Sequence, residues 1–158
     1  MTPFPRMKRF RLGVILLLIA CGLGAWAAVA PAGARSARRA KLQLRKTSVG
    51  KILVNGQGFT LYAFTKDRRN QDNCQKSSAC LRIWPAVTTV GAPIAGPGVK
   101  RRLIGIITLT SGAKQLTYAG NPLYTYIADT HPGQTTYVNI LQFGGRWPAV
   151  NASGREVK

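Results

Sequence analysis

Apolar and polar positions divide this chain into two parts of different texture. From Leu12 to Ala30 it is uncharged and almost wholly apolar. After residue 47 the apolar positions come in short runs broken by glycine, proline and asparagine, and outside the leader no helical period persists beyond a few turns. Lys51 to Val54 and Phe59 to Phe64 are β-branched or aromatic runs around Asn55-Gly56-Gln57-Gly58. Asn-Gly between such runs predicts a hairpin. Gln115 to Tyr118 and Leu123 to Tyr126 flank Ala119-Gly120-Asn121-Pro122 in a similar way. Ile104 to Leu109 reads as a buried strand and Thr136 to Leu141 as another. Residues 91–98, rich in Gly and Pro, read as a connection.

The pattern occurs twice. Trp84-Pro85-Ala86-Val87 returns as Trp147-Pro148-Ala149-Val150. Leu61-Tyr62-Ala63-Phe64-Thr65-Lys66-Asp67 stands against Leu123-Tyr124-Thr125-Tyr126-Ile127-Ala128-Asp129, and Gly50 and Gly58 against Gly112 and Gly120. The order in each copy is glycine, strand, glycine, Leu-Tyr-x-aromatic-x-x-Asp, loop, Trp-Pro-Ala-Val. Copy 1 covers about residues 47–90 and copy 2 about 109–152. The expected fold is all-β: a single antiparallel domain built from two duplicated hairpin-containing units in pseudo-twofold relation, after an N-terminal apolar leader helix. In a strand, residues i and i+2 share a face. Tyr62 therefore sides with Phe64 and Tyr124 with Tyr126, while Leu61 with Ala63, and Leu123 with Thr125, take the opposite face. Asp67 and Asp129 fall just past their strands, where a carboxylate caps a turn. Trp84 and Trp147 are expected as apolar lids ending each unit, with Pro85 and Pro148 at a strand edge or start.

Tyr62-x-Phe64-x-x-Asp67 and Tyr124-x-Tyr126-x-x-Asp129, with two cysteines and Trp-Pro following the first, resemble a bacterial family of secreted proteins and predicted lipoproteins. It is described as a secreted repeat of unknown function with a Y-x-(F/W/Y)-x-x-D motif. The resemblance covers about residues 47–158. Cys74 and Cys80 stand further apart than the family's usual Cys-x-x-x-Cys, and Trp-Pro-Ala replaces its frequent Trp-Pro-Pro. The resemblance implies export and brings no established activity.

Arg6, Lys8, Arg9 and Arg11 before the apolar run make residues 1–34 a signal peptide or membrane anchor. Three outcomes compete. Ala32-Gly33-Ala34 suits cleavage before Arg35; Leu18-Ile19-Ala20-Cys21 fits a lipobox, with lipidation at Cys21; an uncut run is long enough to span a bilayer. The cations after the run, taken alone, disfavour export of the C-terminal side; the cysteines and the resemblance favour it. In an exported chain Cys74 and Cys80, in one short polar loop, are expected to form a disulfide, with a metal pair or redox thiols as the alternatives.

The formal net charge is +19. Residues 35–46 hold six cations and no acid and read as a basic linker. Residues 47–158 carry 13 cations and a net +9. Such charge steers a protein toward polyanions, here anionic membrane surface or wall polymers. It equally serves solubility. No pattern for sequence-specific nucleic acid binding is present.

No nucleophile elbow, phosphate loop or zinc-protease motif occurs, and His131 is the single histidine. No catalytic residue, metal site or cofactor is therefore assigned, and any small-molecule ligand is unknown. The motif residues Tyr62, Phe64, Asp67, Trp84, Pro85, Tyr124, Tyr126, Asp129, Trp147 and Pro148 are structural or binding. The expected function is an exported or cell-envelope β-module, non-enzymatic, binding or structural. The alternative is an enzyme or a redox or metal-binding protein using the Tyr/Asp motifs.

Overall fold

The computed structural model describes residues 38–158. The leader helix, the cleavage site at Ala34 and Cys21 lie outside the described residues. Ten short strands are present: β1 Lys41–Thr47, β2 Gly50–Asn55, β3 Ile94–Ala95, β4 Ile104–Thr108, β5 Lys114–Tyr118, β6 Asn121–Pro122, β7 Ile140–Gln142, β8 Gly145–Trp147, β9 Ala149–Val150 and β10 Glu156–Val157. One short helix, α1, spans Ser78–Ile83. The described residues are mostly strand and turn, as their broken period-2 patterning predicts.

Two hairpins form the corresponding parts of the copies. β1 pairs antiparallel with β2, Leu44 opposite Leu53, and β4 with β5, Ile106 opposite Leu116. Each second strand turns back at a glycine with positive φ: Gly58 at +89° and Gly120 at +86°. A Cβ on Gly120 would lie 2.7 Å from Cγ of Arg69, so a side chain there meets both backbone strain and a clash.

The Leu-Tyr-x-aromatic segments then meet on the pseudo-twofold axis. Tyr62 and Tyr124 exchange backbone hydrogen bonds, N–H to C=O, at 2.9 and 3.0 Å. On either side the pattern repeats in pairs. The Ala63 N–H donates to Pro148 C=O and the Thr125 N–H to Pro85 C=O, both at 3.0 Å. The Thr65 N–H donates to Arg146 C=O and the Ile127 N–H to Ile83 C=O, again both at 3.0 Å. Thr88 bridges Gln115 in copy 2, and Asn151 bridges Ile52 in copy 1.

These pairings correct the lid expectation. Each Trp-Pro-Ala-Val segment runs extended along the other copy, bridging Ala86 to Tyr124 and Ala149 to Tyr62. Val87 of copy 1 receives the Leu116 N–H at 2.8 Å and donates its own to Leu123 C=O at 2.9 Å. The copies are interlaced, and each segment finds backbone partners in the other copy.

Period-2 alternation sends the two faces of the motif strands into two cores. Leu61, Ala63 and Leu123 join Leu42, Leu53, Leu116, Tyr118 and Val150 in an aliphatic cluster. Tyr62, Phe64 and Tyr124 join Trp84, Trp147, Cys74 and Cys80 in an aromatic one.

Three expectations need correction. The basic linker over 35–46 does not hold for its second half, because Lys41–Thr47 is β1. Leu42 is fully buried and Leu44 half-buried on one face while Lys41, Arg45 and Lys46 stay in solvent. The alternation outweighs the charge. Ile104–Leu109 was expected as a buried strand. β4 is instead an edge strand, with Ile106 45% exposed. The strand over Thr136–Leu141 shrinks to β7, because Tyr137 and Asn139 sit in turns, Asn139 with φ +67°.

Candidate functional site

The motif side chains gather at the axis. Trp84 and Trp147 are fully buried and stack face to face, centroids 3.9 Å apart and planes 3° from parallel. Phe64 stacks on the outer face of Trp147 and Tyr126 on that of Trp84, each at 4.2 Å. The four rings form one column, ordered Phe64, Trp147, Trp84, Tyr126. Tyr62 meets the edge of Trp84 at 5.1 Å and Tyr124 that of Trp147 at 5.2 Å. Offset-stacked and edge-to-face pairs are each worth about 0.5–1.5 kcal/mol beyond area burial.

Symmetry ends at the indole nitrogens, because both use Gln142 of β7. Trp84 Nε1 donates to its side-chain Oε1 at 2.6 Å, and Trp147 Nε1 to its backbone oxygen at 3.1 Å. Gly145 gives the column room, since a Cβ there would lie 2.6 Å from Cε2 of Phe64.

The tyrosine hydroxyls reach across the axis. Tyr62 donates to Asp129, at 3.0 Å to Oδ2 and 3.3 Å to Oδ1, and Tyr124 donates to Oδ2 of Asp67 at 2.8 Å. Each motif Asp is thus held by the tyrosine of the other copy. The turn role survives in copy 1, where Asp67 Oδ1 accepts the Asn73 N–H at 2.7 Å.

Burial sets the ionisation of this cluster. It pushes the Asp67 carboxyl up to about 7, with the nearby Asp72 charge adding to the rise and the Asn73 N–H and Tyr124 hydroxyl opposing it. It pushes Asp129 up to about 6 against the Tyr62 hydroxyl and His131. Burial, reinforced by the facing carboxylates, drives the Tyr62 and Tyr124 hydroxyls far above their ordinary value, so both remain donors.

Asp72 was not singled out by the sequence. It is 1% exposed; its Oδ1 accepts the Gln75 N–H at 2.8 Å, while Oδ2 has no hydrogen-bond partner. Gln142 was also missed; its only signal was one polar position in the run Ile-Leu-Gln. Cys74 and Cys80 are bonded to each other, with Cα atoms 5.4 Å apart. The bridge ties a turn of 3-10 helix at Cys74–Lys76 to α1, whose first turn is capped by Ser77 accepting the Cys80 N–H. α1 stops at Trp84 because Pro85 comes next.

Pro85 and Pro148 lend their carbonyls to the interlaced pairing. His131 is exposed. Among the described residues, no three His, Cys, Asp or Glu side chains converge as metal ligands would, and no helix is long and apolar enough to cross a membrane.

A family profile described as a secreted repeat of unknown function matches residues 43–88 and again 105–151. The chain belongs to that family. The two matched stretches coincide with the two interlaced copies, so one secreted repeat is a hairpin, a motif strand, a loop and the Trp-Pro-Ala-Val segment laid along its neighbour. No curated protein and no solved structure matches the chain.

Proposed function

We propose that this secreted repeat protein is a non-catalytic module that holds to anionic surfaces of the cell envelope, membrane headgroups or wall polymers. One observation carries the reading: the chemistry of the Tyr/Asp/Trp motif is spent in closing the interior, while the charge faces out. Tyr62, Tyr124, Trp84 and Trp147 are each 0% exposed. Residues 38–158 hold 18 Lys and Arg against four Asp and Glu, a net +14. Of the four acids, Asp67 and Asp129 bind tyrosines, Asp72 is buried, and Glu156 is exposed. A basic residue close to an anionic leaflet contributes about 1 kcal/mol, so a few of these suffice for binding that salt reverses.

Co-sedimentation with phosphatidylglycerol and with phosphatidylcholine vesicles tests this. Binding to the anionic vesicles alone, lost as salt rises, is expected. No binding at low salt, or equal binding to both, rejects the reading.

A second reading, an enzyme or a redox or metal protein, rests on Asp67 with its carboxyl at about 7 beside Asp72 and Tyr124. A carboxyl in that range suits general acid–base work. Its weakness is access, since Asp72 and Tyr124 are closed to solvent. Metal analysis of the purified protein separates the readings: stoichiometric copper, iron or zinc favours the second.

A further inference from the structure

The two copies differ in how their outer strands are finished. In copy 1 the connection between copies folds back along β1. The Ile94 N–H donates to Ala40 C=O and the Gly96 N–H to Leu42 C=O, both at 2.8 Å, and β3 pairs with Lys41 and Leu42. In copy 2 the corresponding tail turns the other way: β10 pairs with β9. Among the described residues β4, the counterpart of β1, pairs only with β5.

The ladder shows which groups this leaves open. The Ala119 N–H donates to Leu103 C=O and the Leu109 N–H to Ala113 C=O. Antiparallel pairs alternate between bonded and non-bonded, so Ile104, Ile106 and Thr108 turn their backbone groups away from β5. The Ile104 N–H is taken by Arg101 C=O, in the turn of 3-10 helix at Arg101–Leu103. Ile104 C=O and both backbone groups of Ile106 and Thr108 remain. A depression of about 310 Å³, lined by Pro93, Arg101, Ile104, Gly105 and Ile106, lies along them. A second, of about 180 Å³, includes Arg69 and Arg102 and shares Ile104 and Gly105.

We propose that the open edge of β4 is a docking site for an extended acidic peptide segment of a partner protein, added as one more strand. Main-chain pairing supplies the attachment, and the pocket beside Ile104 and Ile106 takes an alternate side chain. Charge selects the occupant. Lys100, Arg101 and Arg102, all exposed, stand at one end of the edge, and the exposed Lys114 sits opposite Thr108 at the other. A second copy of this chain brings another +14 over the same residues, which opposes edge-to-edge pairing between copies.

The probe is a labelled synthetic peptide, Asp-Glu-Val-Thr-Val-Thr-Glu-Asp, read by fluorescence anisotropy on the folded protein. Its controls are the same peptide with lysine at the acidic positions and one with alternate backbone amides N-methylated. Saturable binding of the acidic peptide alone is expected. Arg101→Glu with Arg102→Glu weakens it by about tenfold or more. Ile106→Pro abolishes it while leaving the β4–β5 ladder intact, because that N–H is not used in the ladder. The N-methylated peptide tests the pairing without any change to the protein. Absence of binding, or equal binding of the N-methylated peptide, overturns the proposal. So does a dimer in sedimentation that Ile106→Pro dissolves, which assigns the edge to a second copy.

Discussion

The hydroxyl of Tyr124 lies 2.8 Å from the carboxylate of Asp67, and the two residues belong to different copies of the repeat. Tyr62 and Asp129 make the reciprocal contact at 3.0 Å. Residues that look in sequence like one local motif, Tyr-x-aromatic-x-x-Asp, are two halves of two clasps.

Removing either hydroxyl should therefore loosen the join between copies. Tyr124→Phe leaves one Asp67 oxygen without its donor in a half-buried place, at a cost of about 1–3 kcal/mol. Urea unfolding of Tyr124→Phe, Asp67→Asn and the double variant gives the coupling. A double variant no less stable than the worse single variant indicates a direct pair; simple additivity says the contact carries nothing.

Stability should fall as pH rises toward neutrality. Asp67 and Asp129 have folded-state values of about 7 and about 6, above the ordinary carboxyl value of 3.8. Between those limits the folded chain binds more protons than the unfolded one. These groups therefore contribute most below the unfolded value, and the contribution is lost as pH rises through 6 to 7. Tm measured at pH 5 should exceed that at pH 8, and Asp67→Asn should flatten the difference. A Tm that climbs from pH 5 to pH 8 contradicts this.

The two indoles of the column are fully buried at the centre of the aromatic cluster. Trp147→Ala and Trp84→Ala should each cost about 3–5 kcal/mol and leave a chain unfolded or close to it at 37 °C. Gln142→Leu is the finer probe, because it strips the Trp84 indole N–H of its side-chain partner and leaves the backbone carbonyl that holds Trp147 in place. It should cost less than either tryptophan, and calorimetry ranks the three.

The disulfide closes a short loop, so reducing it should lower stability by about 2 kcal/mol without unfolding the domain. Cys74→Ser with Cys80→Ser should match the reduced wild type in a denaturant titration. Complete unfolding on reduction would mean that α1 depends on the bridge far more than loop entropy predicts.

Much of this fold was legible in the chain. The hairpin around Asn55-Gly56, the facing of Tyr62 with Phe64, the Cys74–Cys80 bond and the duplication all follow from local rules, and all four are present. Exchange between the copies was hidden. Periodicity says which face a side chain takes, not whose sheet it completes, and Trp-Pro-Ala-Val placed after Asp looked like the end of its own unit. Lys41–Thr47 was hidden for another reason. Its cations outnumber its two leucines, and only the alternation of Leu42 and Leu44 marked it as a strand. Gln142 and Asp72 gave no signal, because what makes them matter lies across the fold.

The interlacing bears on the history of the chain. Two copies that each lay a segment along the other, about a common axis, have the topology of a segment-swapped homodimer with its protomers joined end to end. Cut within residues 91–98, the halves should be unable to fold apart and able to recombine when mixed. The connection at Ile94–Ala95 thus has two tasks, joining the copies and covering the edge of β1.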